Sequence, residues 1–136
     1  MVYLTRVEHF NAAHKLFNPR WSIQKNESVF GKFANENCHG HNYELYVTIK
    51  GEPDADTGFV LDVKKLSEII KEHILEKLDH LNLNEDVDFM HGKMCSTENL
   101  VIAIWEQLAP HLPQKVQLHA IKLYETPSIF VEYFGG

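Results

Sequence analysis

The stretch Cys38-His39-Gly40-His41-Asn42-Tyr43 opens a run of alternating residues, Tyr43-Glu44-Leu45-Tyr46-Val47-Thr48-Ile49-Lys50. His39 and His41 therefore share the face that carries Tyr43, Leu45, Val47 and Ile49, and that face is expected to be buried. Two residues apart on one side of a strand means Cα atoms about 7 Å apart, so both imidazoles can turn onto one ion. A strand with one apolar face calls for strand partners and a helical layer, and the rest of the chain supplies both.

Upstream, residues 2 to 14 read as a first strand that closes on Phe10-Asn11-Ala12-Ala13-His14. His14 offers a third imidazole. Three neutral histidines with an open fourth position describe a catalytic zinc centre, because structural sites are usually closed by four protein ligands. The expected metal ligands are His14, His39 and His41, although a lone histidine in a short apolar strand is usually a hydrogen-bonded core or surface residue.

The second strand is expected over 42–51, after a long polar stretch that contains Asn18-Pro19-Arg20-Trp21 and Asn35-Glu36-Asn37. From Asp62, a capping residue, Val63, Leu66, Ile70 and Ile74 form a helical stripe. Leu78 to Asn84 and the Asp86 to Gly92 segment read as loop. Ser96 or Thr97 can cap a second helix with Leu100, Val101, Ile104, Trp105 and Leu108 on its apolar face, ended by Pro110 and Pro113. Val116–Glu125 and Ile129–Tyr133 read as strands of a hairpin across Thr126-Pro127-Ser128. The expected fold is a single α+β domain, in the order ββααββ: a four-stranded antiparallel sheet with two helices on one face. Its exposed edges invite pairing between subunits.

Composition narrows the function. A chain of 136 residues suits one domain, and no apolar run is long enough to cross a bilayer. Thirteen dispersed basic residues against nineteen acids argue against a nucleic-acid binder. Two distant cysteines, Cys38 and Cys95, read as reduced thiols, and no leader precedes the first strand, so a cytoplasmic location is expected.

Two further constellations carry chemistry. Asp79-His80 pairs a carboxylate with an imidazole, which suits proton transfer near neutral pH, while helix capping or a surface salt bridge is the more ordinary use of such a pair. Glu125 shares a face with Ile121 and Leu123, so an acid is placed among apolar residues. Either a ligand's donor edge satisfies it, or Lys122 or Arg6 does.

Taken together, the motifs Phe10-Asn11-Ala12-Ala13-His14, Phe30-Gly31-Lys32, His39-Gly40-His41-Asn42-Tyr43, Leu78-Asp79-His80-Leu81-Asn82-Leu83, Ser96-Thr97-Glu98-Asn99 and Tyr124-Glu125-Thr126 give a chain that resembles the 6-pyruvoyl tetrahydropterin synthase family. That family includes the bacterial 6-carboxytetrahydropterin synthases. The resemblance implies the tunnelling fold, with trimers closing a twelve-stranded barrel and stacking into a homohexamer. It implies zinc on His14, His39 and His41, and 7,8-dihydroneopterin triphosphate as substrate. It further implies that Glu125 anchors the pterin's amino-pyrimidine edge, that Asp79 and His80 form a proton relay, and that Thr97 and Glu98 lie near the pterin. Lys32 and Arg20 are candidates for the triphosphate.

One position departs from the family. Where members of the pyruvoyl-forming and carboxy-forming types carry a catalytic cysteine after Phe-Gly-Lys, this chain has Phe33. Glu36, in Glu-x-x-His-Gly-His, resembles a third type in which a glutamate is the base and the side chain is cleaved to 6-hydroxymethyl-7,8-dihydropterin for folate synthesis. Cys38 is the alternative base, and with it the 6-carboxytetrahydropterin synthase of queuosine biosynthesis; alternation turns Cys38 away from the zinc side if the strand already begins there. A pterin-binding paralogue without catalysis, and a zinc hydrolase using metal-bound hydroxide, are the readings from other classes.

Overall fold

The computed structural model describes residues 1–136. β1 (Val2–His14) and β2 (His39–Gly51) pair antiparallel along their whole length, from Val2 opposite Gly51 to His14 opposite His39. β4 (Gln117–Thr126) joins the other side of β2, and β5 (Ile129–Tyr133) pairs with β4. The alternation in β2 does what the sequence dictates: Tyr43, Leu45, Val47 and Ile49 are fully buried.

Three helical rods complete the fold. α1 (Ile23–Phe30) starts at Ser22, whose hydroxyl accepts from Lys25 N–H, and runs into a 3₁₀ turn over Gly31–Ala34. α2 (Val63–Ile70), capped by Asp62, continues through a π turn (Lys71–Leu75) into the short α3 (Glu76–Leu78). α4 (Thr97–Leu108) is capped by Ser96. The buried stripe of the second rod, Leu66, Ile70, Ile74 and Leu78, repeats every fourth residue. On an ideal α-helix such a repeat drifts about 40° per step; the wider π turn reverses part of that drift and keeps the stripe on the sheet. It packs with Leu100, Ile104 and Leu108 of α4 against β1, β2 and β4 in one core.

Three expectations need correction. The sheet has five strands, not four, in the order β3-β1-β2-β4-β5, and it is mixed: β3 (Leu81–Asn82) runs parallel to β1 opposite Ala12 and Ala13. β3 is two residues long and is held by a long-range pairing, so no periodicity announces it. There are also three helical rods, not two: α1 lies in the polar connection, where only Asn26 is buried and the apolar stripe is weak. β2 begins at His39, earlier than the expected 42, which puts both histidines within the strand. No helix is long and apolar enough to cross a membrane.

Candidate metal centre

The register of β1 and β2 builds the site. His14 faces His39 across the ladder, and Ala12 faces His41. All three histidines emerge on the helix-covered face at one end of the sheet. Their rings meet edge to face, with centroids 4.5 Å apart for His14–His39, 5.1 Å for His14–His41 and 5.0 Å for His39–His41. One ring nitrogen from each lies within 4.8 Å of the others.

The tautomer of His14 is fixed by the backbone. Its Nδ1 sits 2.7 Å from the carbonyl oxygen of Cys95, an acceptor only, so Nδ1 carries the proton and Nε2 presents its lone pair to the other rings. Nε2 of His14 and Nε2 of His41 are buried and make no hydrogen bond within the protein. Glu125 Oε1 lies 3.5 and 3.3 Å from those two nitrogens, close but outside hydrogen-bond geometry. All three imidazoles are held below their ordinary 6.5, with burial the largest cause in each. Three neutral imidazoles whose nitrogens converge beside a carboxylate are a donor set that could hold a metal ion.

Above the triad opens a cavity of about 210 Å³, walled by Leu16, Phe33, Thr97, Glu98 and Ile129 as well as the histidines and Glu125. Phe33 is 55% exposed, and its ring lies 5.5 Å from that of His39. Its carbonyl accepts from Leu16 N–H at 2.7 Å, which ties the 3₁₀ turn to the chain leaving β1. Thr97 is buried, with an Oγ1 that has no partner. Glu125 is not taken by the cations named as its possible partners: Arg6 pairs with Glu8 at 2.9 Å, and Lys122 lies 4.2 Å over the Phe130 ring.

Other predicted residues lie elsewhere. Glu36 is exposed and lines a neighbouring cavity of about 780 Å³ together with Lys15, Lys32 and Glu27. Leu16 and Phe33 face the triad while their neighbours Lys15, Phe17, Lys32 and Ala34 face this larger space. Cys38 has a left-handed backbone (φ 63°), and its Sγ accepts from Asn82 Nδ2 at 3.4 Å. Arg20 is exposed. Asp79 and His80 stand on the far edge of β1: Asp79 Oδ1 accepts from Asn11 N–H at 2.8 Å, and Oδ2 lies 3.1 Å from His80 Nδ1. The Asn11 N–H is the main reason that the Asp79 carboxyl is held below its ordinary 3.8. Neither residue lines the cavity of its own chain's triad.

Two contributors escaped the sequence reading. Cys95 acts through its carbonyl, and its thiol, raised to about 11 mainly by burial, is not poised as a thiolate. Phe33 forms a wall where only an absent base was noted. Neither a carbonyl's direction nor a ring's place in a cavity has a sequence signal.

A helix-backed sheet with a three-histidine cluster at its end defines the class: tunnelling-fold proteins with side chains able to hold a metal ion. The model of the family "6-pyruvoyl tetrahydropterin synthase" matches residues 3–136. The chain is 44% identical over 134 residues to the 6-pyruvoyl tetrahydrobiopterin synthase of Dictyostelium discoideum, covering 98% of this chain and 96% of that one. It is 31% identical to the dihydroneopterin monophosphate aldolase of Pyrococcus furiosus, covering 90% and 89%. The structure of Caenorhabditis elegans 6-pyruvoyl tetrahydropterin synthase superposes with a TM-score of 0.91 at 36% identity, covering 99% and 96%. The chain belongs to the 6-pyruvoyl tetrahydropterin synthase family, lyases of pterin metabolism.

Proposed function

We propose that this protein is a zinc-dependent lyase acting on 7,8-dihydroneopterin triphosphate, and that it cleaves the side chain to give 6-hydroxymethyl-7,8-dihydropterin. The observation that carries the metal reading is the convergence of three ring nitrogens within 4.8 Å, one of them fixed as a lone-pair donor by Cys95. The observation that carries the product is Phe33 on the cavity wall, since a phenyl ring takes no proton.

Zinc, held by His14, His39 and His41, supplies Lewis acidity to the side-chain hydroxyls. A base removes the proton from the hydroxyl at the second side-chain carbon, and the bond between the first and second carbons breaks. The electron pair passes to the first carbon, which takes up a proton; the departing aldehyde carries the triphosphate. Glu36 is the base in this reading; its exposed side chain lines the cavity next to that of the triad. Cys38, engaged with Asn82 on the β3 side, suits the role less well. The Asp79–His80 pair holds and returns the proton.

A cavity of about 210 Å³ is below the roughly 300–1,000 Å³ usual for small-molecule sites. With the dyad on the far side of β1, this favours a site completed by a second copy, as in a trimer-built hexamer. Thr97 and Glu98 then face the pterin, and Glu125 either contacts it or works beside the metal. The aldolase name of the Pyrococcus furiosus relative supports carbon–carbon cleavage in this fold. A pyruvoyl product is the second reading, favoured by the name of the Dictyostelium discoideum relative.

Incubation of the purified, zinc-loaded protein with 7,8-dihydroneopterin triphosphate, followed by chromatography of the pterins, tests this. The expected product is 6-hydroxymethyl-7,8-dihydropterin, lost in Glu36→Gln and kept in Cys38→Ala. No turnover with zinc bound overturns the enzyme reading, and a pyruvoyl pterin moves the assignment to the second.

A further inference from the structure

Four buried side-chain atoms lack any hydrogen-bond partner in the protein: Nε2 of His14, Nε2 of His41, Oγ1 of Thr97 and the hydroxyl of Tyr43. Three of them stand on β1 and β2, and Thr97 is the first residue of α4. A metal takes up the two nitrogens, and Thr97 opens on the cavity. The Tyr43 hydroxyl is left, although its residue is 0% exposed. An unmade hydrogen bond of this kind costs about 1–3 kcal/mol, so its retention in place of a phenylalanine asks for a use.

The ladder shows where that hydroxyl can act. The β2–β4 pairing ends at Glu44 opposite Tyr124, so Tyr43 and Glu125 are the next residue of each strand beyond the last pair. Both meet His41: the Tyr43 ring centroid lies 5.6 Å from that of His41, and Glu125 Oε1 lies 3.3 Å from its Nε2. On the other side, Phe10 stacks on the Tyr43 ring at 4.8 Å and 12°, which fixes the ring plane. Glu125 meanwhile turns Oε1 toward the imidazoles and has a second oxygen to be satisfied.

We propose that Tyr43 is a positioning residue whose hydroxyl donates to the Glu125 carboxylate through one buried water, and so holds that carboxylate facing the metal. The inference rests on the metal reading of the triad. Groups one step behind a metal's ligands commonly alter activity 10- to 100-fold when removed. Tyr43 reaches the reaction only through Glu125.

Tyr43→Phe keeps the ring stacked on Phe10 and deletes the hydroxyl alone. It is expected to keep one zinc per chain and an unchanged or slightly raised melting temperature, while kcat falls about tenfold and KM moves less than about twofold. Glu125→Gln lowers kcat as well, and the double variant falls no further than the worse single, as two members of one contact should. In a high-resolution crystal structure the hydroxyl lies within about 3 Å of a water shared with a Glu125 oxygen. Undiminished kcat in Tyr43→Phe, multiplicative losses in the double variant, or a hydroxyl bonded to another acceptor overturns the inference. The crystallographic result stands whether or not a pterin is turned over, so a failure of the proposed function is distinguishable from a failure here.

Discussion

The backbone N–H of Asn11 donates to Asp79 Oδ1 at 2.8 Å, which fastens the Asp79–His80 pair to the outer edge of β1. His14, three residues further along the same strand, turns instead into the cavity on the helix face. A single strand thus carries parts of two different half-sites. If copies assemble edge to edge, the dyad of one chain completes the triad of another.

Complementation reads this directly. His41→Ala and His80→Ala are each expected to lose at least about a hundredfold in turnover. When the two inactive variants are unfolded together and refolded as mixed oligomers, about a quarter of the sites receive an intact triad and an intact dyad from different chains. Recovered activity of that order is the expected outcome; none is recovered if each site is contained in one chain.

His14→Gln removes the ligand whose orientation Cys95 fixes. Zinc content measured by atomic absorption should drop from one per chain to a small fraction. Stability should fall by about 1–3 kcal/mol if the Cys95 carbonyl is left without its donor, as measured by urea unfolding.

Acid should strip the metal late. Burial lowers the pKa values of His14, His39 and His41 from 6.5 in the folded chain. The unfolded chain therefore takes up protons first as the pH falls. Stability from these groups is complete above 6.5 and is lost as the pH drops through the folded values. Zinc retention after dialysis at stepped pH should accordingly persist below 6.5; loss centred above 6.5 contradicts the burial of the triad.

Ser96 accepts from Asn99 N–H at 3.2 Å and starts α4 immediately before Thr97 and Glu98. Ser96→Ala should cost about 1 kcal/mol, a fall of roughly 3–6 °C in melting temperature. KM should rise as well, because both cavity residues ride on the first turn. An unchanged KM would separate the helix start from the substrate.

The parts of the fold visible in the sequence are those set by local periodicity and capping. The alternation of Tyr43 to Ile49, the stripe from Leu66 to Ile74, and the caps at Asp62 and Ser96 are physical consequences of side-chain spacing, and each appears in the structure. β3 was hidden because Leu81-Asn82 is a strand only through its pairing with Ala12 and Ala13. The π turn was hidden because its residues are those of an ordinary helix. Alternation also grouped His39 with His41, but it did not reveal that Glu36 and the triad face separate cavities, or that Asp79–His80 lies across β1 from them. Those are properties of how the chain returns on itself, which spacing does not encode.

The central claim is tested most directly by an anomalous-difference map at the zinc edge from crystals of the purified protein. One peak about 2.0–2.1 Å from a ring nitrogen of each of His14, His39 and His41, with a fourth position facing the cavity, is the predicted result. No peak at the triad, or an ion held by a different set of side chains, contradicts the account.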